Sequence, residues 1–368
     1  MALIKPQFVS VDAEAIISEM VADYEARTGK KLAPAQVERL LINAFAYREY
    51  LLRTAINETG LQNLVEFSTF PALDYLGQLL GVTRLAASRA KTTLTFNLVP
   101  GHTGILIPEG IRVQSIDGKA IFITVEPKTV ATGVLATAIL AECTLDGVIG
   151  NGYEIGHVSV ILDPQPYIST AVNATATAGG ADEESDEALR DRIKLAPASF
   201  SNAGSKGAYE FFAKSAHPSI IDVAITSPDP GDVKIFPLLE GGEIPSTEII
   251  DAVKAACNPD KRRPLSDTVY VEAPTKIDYA IEVDLILLSD ALQTNIVNEV
   301  TDNLQAYANE RKRRLGVDVV INQIIKQANI EGVYKATVTA PESDIVVDEN
   351  EFSNCTSITV NVTGSSDE

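Results

Sequence analysis

The spacing of apolar residues changes near residue 90, and this change limits the chain to a fold that combines helical and β domains. Before it, apolar residues recur every three or four positions, which is the repeat of an amphipathic helix. Between Lys91 and Thr177, Val, Ile, Thr and Gly dominate, and residues 93–98 alternate between polar and apolar, as in a half-buried strand. The chain is therefore predicted to begin with helices and to continue with strands.

Three helices are predicted in the N-terminal quarter. The first begins after Ser10 and Asp12 and ends at Gly29, because a small polar residue caps a helix start and glycine ends one. The third begins near Pro71 and ends at Gly81.

The second helix, about 26 residues long between Pro34 and Gly60, carries an apolar stripe with the alternating spacing of a seam between helices. The stripe consists of Val37, Leu40, Leu41, Ala44, Phe45, Arg48, Leu51, Leu52, Ala55 and Ile56. Two interpretations are open. Either the helices form a self-contained bundle, or part of the stripe packs on another chain, because so long a helix has more apolar surface than two short neighbours cover. The candidate interface residues are Leu40, Leu41, Phe45 and Leu52.

Four domains are predicted, and the fold class is α+β multidomain. Regular turn signals through residues 91–178 favour a small antiparallel β domain, and alternating helix and strand patterns after Gly179 favour two mixed α+β domains. The predicted boundaries are 1–90, 91–178, 179–275 and 276–368. Within the last two, helices are expected near 188–195, from about 207, and near 247–256, 291–311 and 320–329, and strands near 223–226, 233–236, 269–272, 277–287 and 333–339. The end of the chain, residues 365–368, is expected to fray.

The charge balance excludes several classes of partner. The 30 Lys and Arg residues against 50 Asp and Glu give a net charge of −20, which is repelled by phosphate, so nucleic acid and anionic membranes are not expected partners. No apolar run approaches the ~18 residues of a membrane-spanning helix, and the first residues lack the apolar core of a signal peptide. Synthesis and folding in the cytosol are therefore expected, with Cys143, Cys257 and Cys355 as free or buried thiols.

No catalytic signature is present: the chain contains no G-x-S-x-G, H-E-x-x-H, C-x-x-C or phosphate-binding glycine loop. The three histidines, His102, His157 and His217, are predicted to be surface or turn residues. No catalytic residue, cofactor or metal is therefore predicted.

An acidic segment, residues 182–187, is predicted to start a helix, because carboxylates complement the positive end of the helix dipole. It lacks the ligand spacing of a calcium loop, so a metal is the less favoured interpretation. Arg190 and Arg192 are predicted to pair with these carboxylates or with a neighbouring chain. Near the end of a later helix, the basic run 311–314 either matches the negative dipole end or, through Arg313 and Arg314, docks on an acidic surface such as another copy.

These motifs, taken in order, resemble the baseplate J-like proteins of contractile phage tails and related injection particles. The most specific match is the segment from Gly179 to Ile193, and its hallmark residues are Gly179, Gly180, Asp182, Glu184, Ser185, Asp186, Leu189, Arg190 and Arg192. Further matches are residues 73–77, 81–82, 108–110, 147–151, Gly156, 262–267 and 315–318. After about Pro341 the resemblance ends, and the role of that segment stays open.

The resemblance implies a structural baseplate wedge component, located in the virion and assembled in the host cytoplasm. It implies partners in other copies of the chain and in other wedge and hub proteins, joined in a sixfold ring that rearranges when the sheath contracts. The N-terminal helices would pack with wedge proteins and the C-terminal domain would make contacts between copies. Gly179 and Gly180 either act as a hinge or supply a tight turn with positive φ.

Two alternatives remain open. The same fold could serve a bacterial tailocin or an extracellular injection system. A different class, a glycan-active or receptor-binding tail protein, is permitted by the many carboxylates. The absence of Trp, which usually helps to line sugar sites, counts against it.

Overall fold

The computed structural model describes residues 3–201, 204–258, 267–289 and 292–367. These residues form eight α-helices and fourteen strands in four sheets, which confirms the α+β multidomain class. They divide into two compact units. The N-terminal unit is Met1–Thr83 with Leu189–Lys194, and the larger unit is Arg84–Ala188 with Leu195–Glu368.

The N-terminal unit contains three helices, as the apolar spacing predicted: α1 (Ala13–Thr28), α2 (Val37–Leu61) and α3 (Ala72–Gln78). The predicted ends of α1 are confirmed. The Asp12 carboxylate accepts hydrogen bonds from the Glu14 and Ala15 amides, and Gly29 ends the helix with a φ of +72°.

The predicted ends of α2 are wrong. Pro34 lies in a turn before the helix, and Gly60 lies inside it, so that α2 ends at Leu61. Glycine at position 60 allows the Phe8 ring to approach the helix closely, because a Cβ there would collide with that ring. It does not end the helix. The Asn57 side chain holds the Phe8 segment in place by accepting hydrogen bonds from the Phe8 and Val9 amides at 2.8 and 3.0 Å.

The first part of the larger unit is an antiparallel, nearly closed barrel-like sheet with the strand order β7-β3-β4-β6-β1-β8. Its strands are β1 (Arg89–Leu98), β3 (Arg112–Ser115), β4 (Ile121–Thr124), β6 (Ala136–Asp146), β7 (Val158–Ile161) and β8 (Ile168–Asn173), and β2 (Ile105–Ile107) pairs separately with β5 (Lys128–Val130). The predicted alternation in residues 93–98 is confirmed, because Leu94, Phe96 and Leu98 are buried in the barrel core.

The central part of the same unit is a three-stranded sheet with the order β11-β10-β9, covered by helices. Helix α4 (Asp186–Leu195) precedes it, and its elements are α5 (Lys206–Lys214), β9 (Ile220–Thr226), β10 (Asp232–Leu239), α6 (Thr247–Cys257) and β11 (Thr268–Val271). Each lies within a few residues of its predicted position. Of the predicted motif at residues 262–267, residues 262–266 lie outside the described residues.

The C-terminal part is a second three-stranded sheet with the order β13-β12-β14. Its elements are β12 (Thr275–Leu288), α7 (Gln293–Lys312), α8 (Ile321–Ala328), β13 (Val333–Ala340) and β14 (Glu351–Ser366). Strand β14 was not predicted, and the expectation of a frayed end is wrong at Ser365 and Ser366, which pair with Leu287 and Leu288 of β12. The cause is strand pairing. Strand β14 runs parallel to β12 over its whole length, so a ladder of hydrogen bonds fixes the end of the chain.

The histidines are less exposed than predicted. His157 is exposed, but His102 is buried, with its Nε2 2.8 Å from the Val134 carbonyl oxygen. The three cysteines are free thiols, as predicted: Cys143 and Cys257 are buried and Cys355 is half-buried.

His217 is half-buried at the junction of the barrel and the central sheet. Its Nε2 lies 3.0 Å from Ser88 Oγ and 3.3 Å from the Gly179 carbonyl oxygen, and its Nδ1 lies 2.7 Å from Ser219 Oγ. The Ser219 amide donates to Nδ1, so a neutral ring with its proton on Nε2 satisfies every contact. Burial lowers the pKa of His217, and the nearby Lys91 cation lowers it further.

We expect this histidine to make the larger unit less stable in acid. Because its pKa is lowered on folding from the ordinary value of 6.5, the unfolded chain binds the proton more tightly. Stability is therefore lost as the pH falls through 6.5 towards the folded pKa. Calorimetric melting between about pH 8 and pH 5 tests this, with His217→Gln expected to flatten the slope and His157→Gln, at an exposed site, expected to leave it unchanged. Equal slopes in all three proteins would contradict the assignment.

Candidate interaction surfaces

The predicted apolar stripe of α2 faces outward. Phe45 is 66% exposed and Leu52 is 64% exposed, which are high values for residues of this type in a helix that packs on a neighbour. The exposed large apolar residues of this helix are Val37, Leu40, Leu41, Phe45, Tyr47, Leu51, Leu52 and Ile56. We call the set Leu40, Leu41, Phe45, Leu52 and Ile56 the α2 stripe. Large apolar residues exposed together on one helix make the α2 stripe a candidate interaction site.

The opposite face of α2 carries the residues that the helix buries, which are Ala46, Asn57 and Leu61. Arg53 lies on the same face, pairs with Glu49, and donates to the Ser10 carbonyl oxygen at 3.3 Å. Helix α2 packs on α1, while its exposed large apolar residues meet solvent.

The acidic segment before α4 is fixed within the larger unit by partners that sequence reasoning missed. Arg84 donates to Asp186 Oδ1 and to the Glu184 carbonyl oxygen, both at 2.6 Å. The buried Glu184 carboxylate accepts the Leu85 amide at 3.0 Å. Ser185 Oγ accepts the Ala188 amide at 3.2 Å, as a helix cap does. The signal that could have found Arg84 is its position two residues after the 81–82 motif.

Asp182 also has a structural role in this segment. Its carboxylate accepts the Val148 amide at 3.3 Å, which ties the acidic segment to the 3₁₀ turn that follows β6.

The residues of α4 that belong to the N-terminal unit form hydrogen bonds with the loops of that unit. Arg190 donates to the Val65 and Ser68 carbonyl oxygens at 2.9 and 2.8 Å and not to the predicted carboxylates of the acidic segment, while its predicted pairing with a neighbouring chain stays a prediction. The reason is that backbone carbonyls in the loop after α2 need donors, and a guanidinium can serve two at once. The buried Arg192 donates to the Thr83 carbonyl oxygen at 2.6 Å.

Leu189 and Lys194 complete the contribution of α4. Leu189 is fully buried, and the Lys194 ammonium pairs with Glu66 and lowers the pKa of that carboxyl. The hallmark segment is therefore a set of structural contacts in this chain.

The local geometry of Gly179 and Gly180 explains why both residues of this turn are glycines. Gly179 has a φ of +84°, which glycine adopts without strain. A Cβ on Gly180 would collide with the Gly147 carbonyl oxygen. Asn151 forms two hydrogen bonds with the Gly180 backbone, accepting from its amide at 2.9 Å and donating to its carbonyl at 2.8 Å. The hinge interpretation stays a prediction.

The basic run at the end of α7 divides into two pairs. Arg311 stacks on the Tyr307 ring with 4.9 Å to the centroid, and the aliphatic part of Lys312 packs over Gly242. Arg313, which caps the helix, and Arg314 are exposed. The predicted helix C-terminus is confirmed, and the exposed pair remains a candidate docking surface.

The described residues contain no group of three or more His, Cys, Asp or Glu side chains able to hold a metal ion. Every helix in the described ranges is too short or too polar to cross a membrane.

Comparison with known proteins identifies the family. Four family models match consecutive parts of the chain: the Baseplate J-like N-terminal domain at 37–91, the barrel domain at 93–180, the central domain at 201–273 and the C-terminal domain at 279–361. The chain belongs to the Baseplate J-like family. The C-terminal match extends past Pro341, where the sequence motifs ended, and includes most of β14.

Two relatives illustrate the likeness. Baseplate protein J of Escherichia phage P2 is 32% identical over 237 residues, which are 63% of this chain and 75% of that protein. A chain in the cryo-EM structure of the 6-fold symmetrised anti-feeding prophage (AFP) baseplate is 13% identical, with a TM-score of 0.44 over 93% of this chain and 90% of that one. The Baseplate J-like chain is a baseplate component of a contractile tail or tailocin, as the motifs predicted, and it associates with other baseplate proteins.

In the Baseplate J-like chain, Arg190→Ala is expected to lower the free energy of unfolding of the N-terminal unit by about 2 kcal/mol, because two carbonyls lose a charged donor. Arg190→Lys recovers only part of this, since an ammonium does not bridge both oxygens as a fork does. Hydrogen exchange of the loop after α2 measures the effect. Arg314→Ala is the matched control at an exposed position, and equal exchange in the Arg190 and Arg314 variants would contradict the role of Arg190.

Gly180→Ala is expected to cost about 1–3 kcal/mol of stability, because the added methyl group meets backbone that cannot move without disturbing Asn151. Gly364→Ala, with no atom within 4 Å of its Cβ, is expected to be neutral. Urea denaturation of both variants measures the difference. Similar midpoints would show that the turn yields easily, which is the behaviour of a hinge.

Proposed function

We propose that this chain is a structural wedge component that joins neighbouring wedges into a ring around the central hub of the baseplate. The observation that supports this most is the outward apolar face of α2, because a structural block needs surfaces that other chains cover. The α2 stripe contacts another wedge protein, and burial of each large side chain in it stabilises the contact by about 1.5–3 kcal/mol.

The role needs no reaction centre. We infer that the chain is not an enzyme and that its activity is mechanical: it holds the ring before firing and rearranges with it when the sheath contracts. Assembly takes place in the host cytoplasm from the folded chain, before the particle is complete. The family to which the chain belongs is one of structural baseplate proteins, which supports this inference.

Self-association is a part of the same proposal. A ring of identical wedges closes only if each copy offers surfaces to its neighbours on both sides. The exposed Arg313 and Arg314 fit an acidic neighbour, and a chain of net charge −20 supplies acidic surface in every other copy.

Phe45→Glu tests the proposed contact of the α2 stripe. The variant is expected to fold with unchanged stability, because Phe45 is 66% exposed, and to be excluded from assembled particles, because a buried carboxylate would be unpaired. Particles are purified from cells that supply only the variant. Immunoblotting measures how much of the chain they contain, and electron microscopy shows whether they are assembled. Phe200→Glu is the matched control, since Phe200 is 67% exposed and lies outside α2.

Incorporation of the Phe45→Glu chain at the level of the Phe200→Glu control would overturn the proposed contact. Loss of both chains from the particle would also count against it, because the effect would then follow from any added carboxylate on an exposed aromatic position.

A further inference from the structure

Four polar side chains meet inside the C-terminal part of the chain, and their polar atoms have no hydrogen-bond partner among the described residues. The atoms are the hydroxyl oxygens of Tyr279, Tyr307 and Ser353 and the Nε of Arg311, and all four are buried. The three residues with hydroxyl groups are at most 6% exposed. We call these four residues the tyrosine cluster. Because buried polar atoms are nearly always hydrogen-bonded, the cluster indicates a bound group that serves all four.

Three elements of the fold bring the cluster together. Tyr279 lies on β12 opposite Cys355 of β14, and Ser353 lies two residues before Cys355 on the same strand. Tyr307 and Arg311 are four residues apart on α7, so they share one face of the helix, and α7 packs on β14. The Arg311 guanidinium stacks on the Tyr307 ring, 4.9 Å from its centroid.

The pKa of the Tyr279 phenol reflects the same proximity. Burial raises this pKa, and four neighbouring side chains alter it further: Cys355, Tyr307, Arg311 and Ser353. Each of the other three members of the cluster therefore lies within interaction distance of the Tyr279 hydroxyl.

The chemistry of the cluster fits an anion. All four groups can donate a hydrogen bond, and the Arg311 Nε can only donate. No Asp or Glu of the described residues pairs with Arg311, so the face of the Tyr307 ring is its partner within this part of the chain. A water molecule accepts from two donors and carries no charge. A small anion accepts from all four and also neutralises the guanidinium, which is the most costly of these groups to leave unpaired.

The charges around the cluster also favour an anion. Lys312, Arg313 and Arg314 follow Arg311 directly, which makes this end of α7 basic in a chain of net charge −20. Salt screens exposed charges beyond about 8 Å, so these adjacent cations act on the cluster while most carboxylates of the chain do not. Asp278, the neighbour of Tyr279, is exposed and accepts a hydrogen bond from Asn354 at 2.6 Å.

We propose that the tyrosine cluster binds a small monovalent anion of the size of chloride, which accepts hydrogen bonds from Arg311 Nε and from the three hydroxyl groups. The anion connects α7 to β12 and β14, and its binding stabilises the folded chain by mass action. The inference does not rest on the proposed wedge role, because every ligand of the site belongs to one chain.

Thermal unfolding of the full chain in mixtures of sodium chloride and sodium gluconate, at constant pH and constant total concentration, tests the site. Gluconate screens charges as chloride does, but it is too large for a buried site. We expect the melting midpoint to rise as chloride replaces gluconate, because chloride binds the folded chain.

Tyr307→Phe removes one hydroxyl group and keeps the ring on which Arg311 stacks, so the variant is expected to fold. It is expected to raise the chloride dissociation constant about tenfold or more, since a hydrogen bond to a charged group is lost. Tyr279→Phe is expected to have the same effect. Tyr334→Phe is the matched control, because Tyr334 is 51% exposed on β13 of the same sheet, and it is expected to respond to chloride as the wild-type chain does.

Crystals of the full chain soaked in sodium bromide locate the anion directly, and an anomalous peak is expected between Arg311 Nε and the hydroxyl groups of the cluster. A wild-type midpoint that is the same in both salts would overturn the proposal and would assign the cluster to water. Equal responses to chloride in Tyr307→Phe and Tyr334→Phe would also overturn it, as would bromide peaks found only outside the cluster.

Discussion

The packing of the N-terminal unit depends on which face of α2 is buried and which is exposed. A helix in a small domain normally buries its apolar face and presents the polar one to water. Here α2 buries Ala46, Asn57 and Leu61, while the apolar α2 stripe stays exposed. Apolar surface left in water represents about 25 cal/mol for each Å² that a partner can later cover. If another chain covers the α2 stripe, as we propose, this free energy stabilises the association.

The larger unit has the opposite character. Its barrel and its two sheets each bury a continuous apolar core, and polar contacts fix the connections between them. His217 lies between Ser88 and Ser219, and the Asp222 carboxylate accepts the Leu315 amide at 2.9 Å. These hydrogen bonds connect the barrel, the central sheet and the C-terminal part of the larger unit.

The sequence was sufficient to predict structure that depends on neighbouring residues. It was insufficient where the structure depends on contacts between distant segments. The ends of α1 followed from Asp12 and Gly29, because capping depends on adjacent residues. Gly60 was misinterpreted because its partner, Phe8, lies far away in the chain. Strand β14 was missed because its alternation is weak and its order comes from pairing with β12.

The candidate interface shows the same division. The apolar spacing of α2 was visible in the sequence, which left open whether the stripe closes a helical bundle or packs on another chain. The stripe is exposed in this chain, and its packing on another chain stays a prediction. Arg190 was assigned to carboxylates nearby in sequence, whereas its partners are the carbonyls of Val65 and Ser68. Ion pairs between neighbours in a helix are worth a few tenths of a kcal/mol, so unpaired backbone acceptors compete successfully for an arginine.

Electron cryomicroscopy of the intact particle, at a resolution that shows side chains, tests the central claim most directly. We expect Leu41, Phe45 and Leu52 to lie against side chains of a different polypeptide and to be removed from solvent. A particle in which this chain is present while those three side chains still face water would contradict the account.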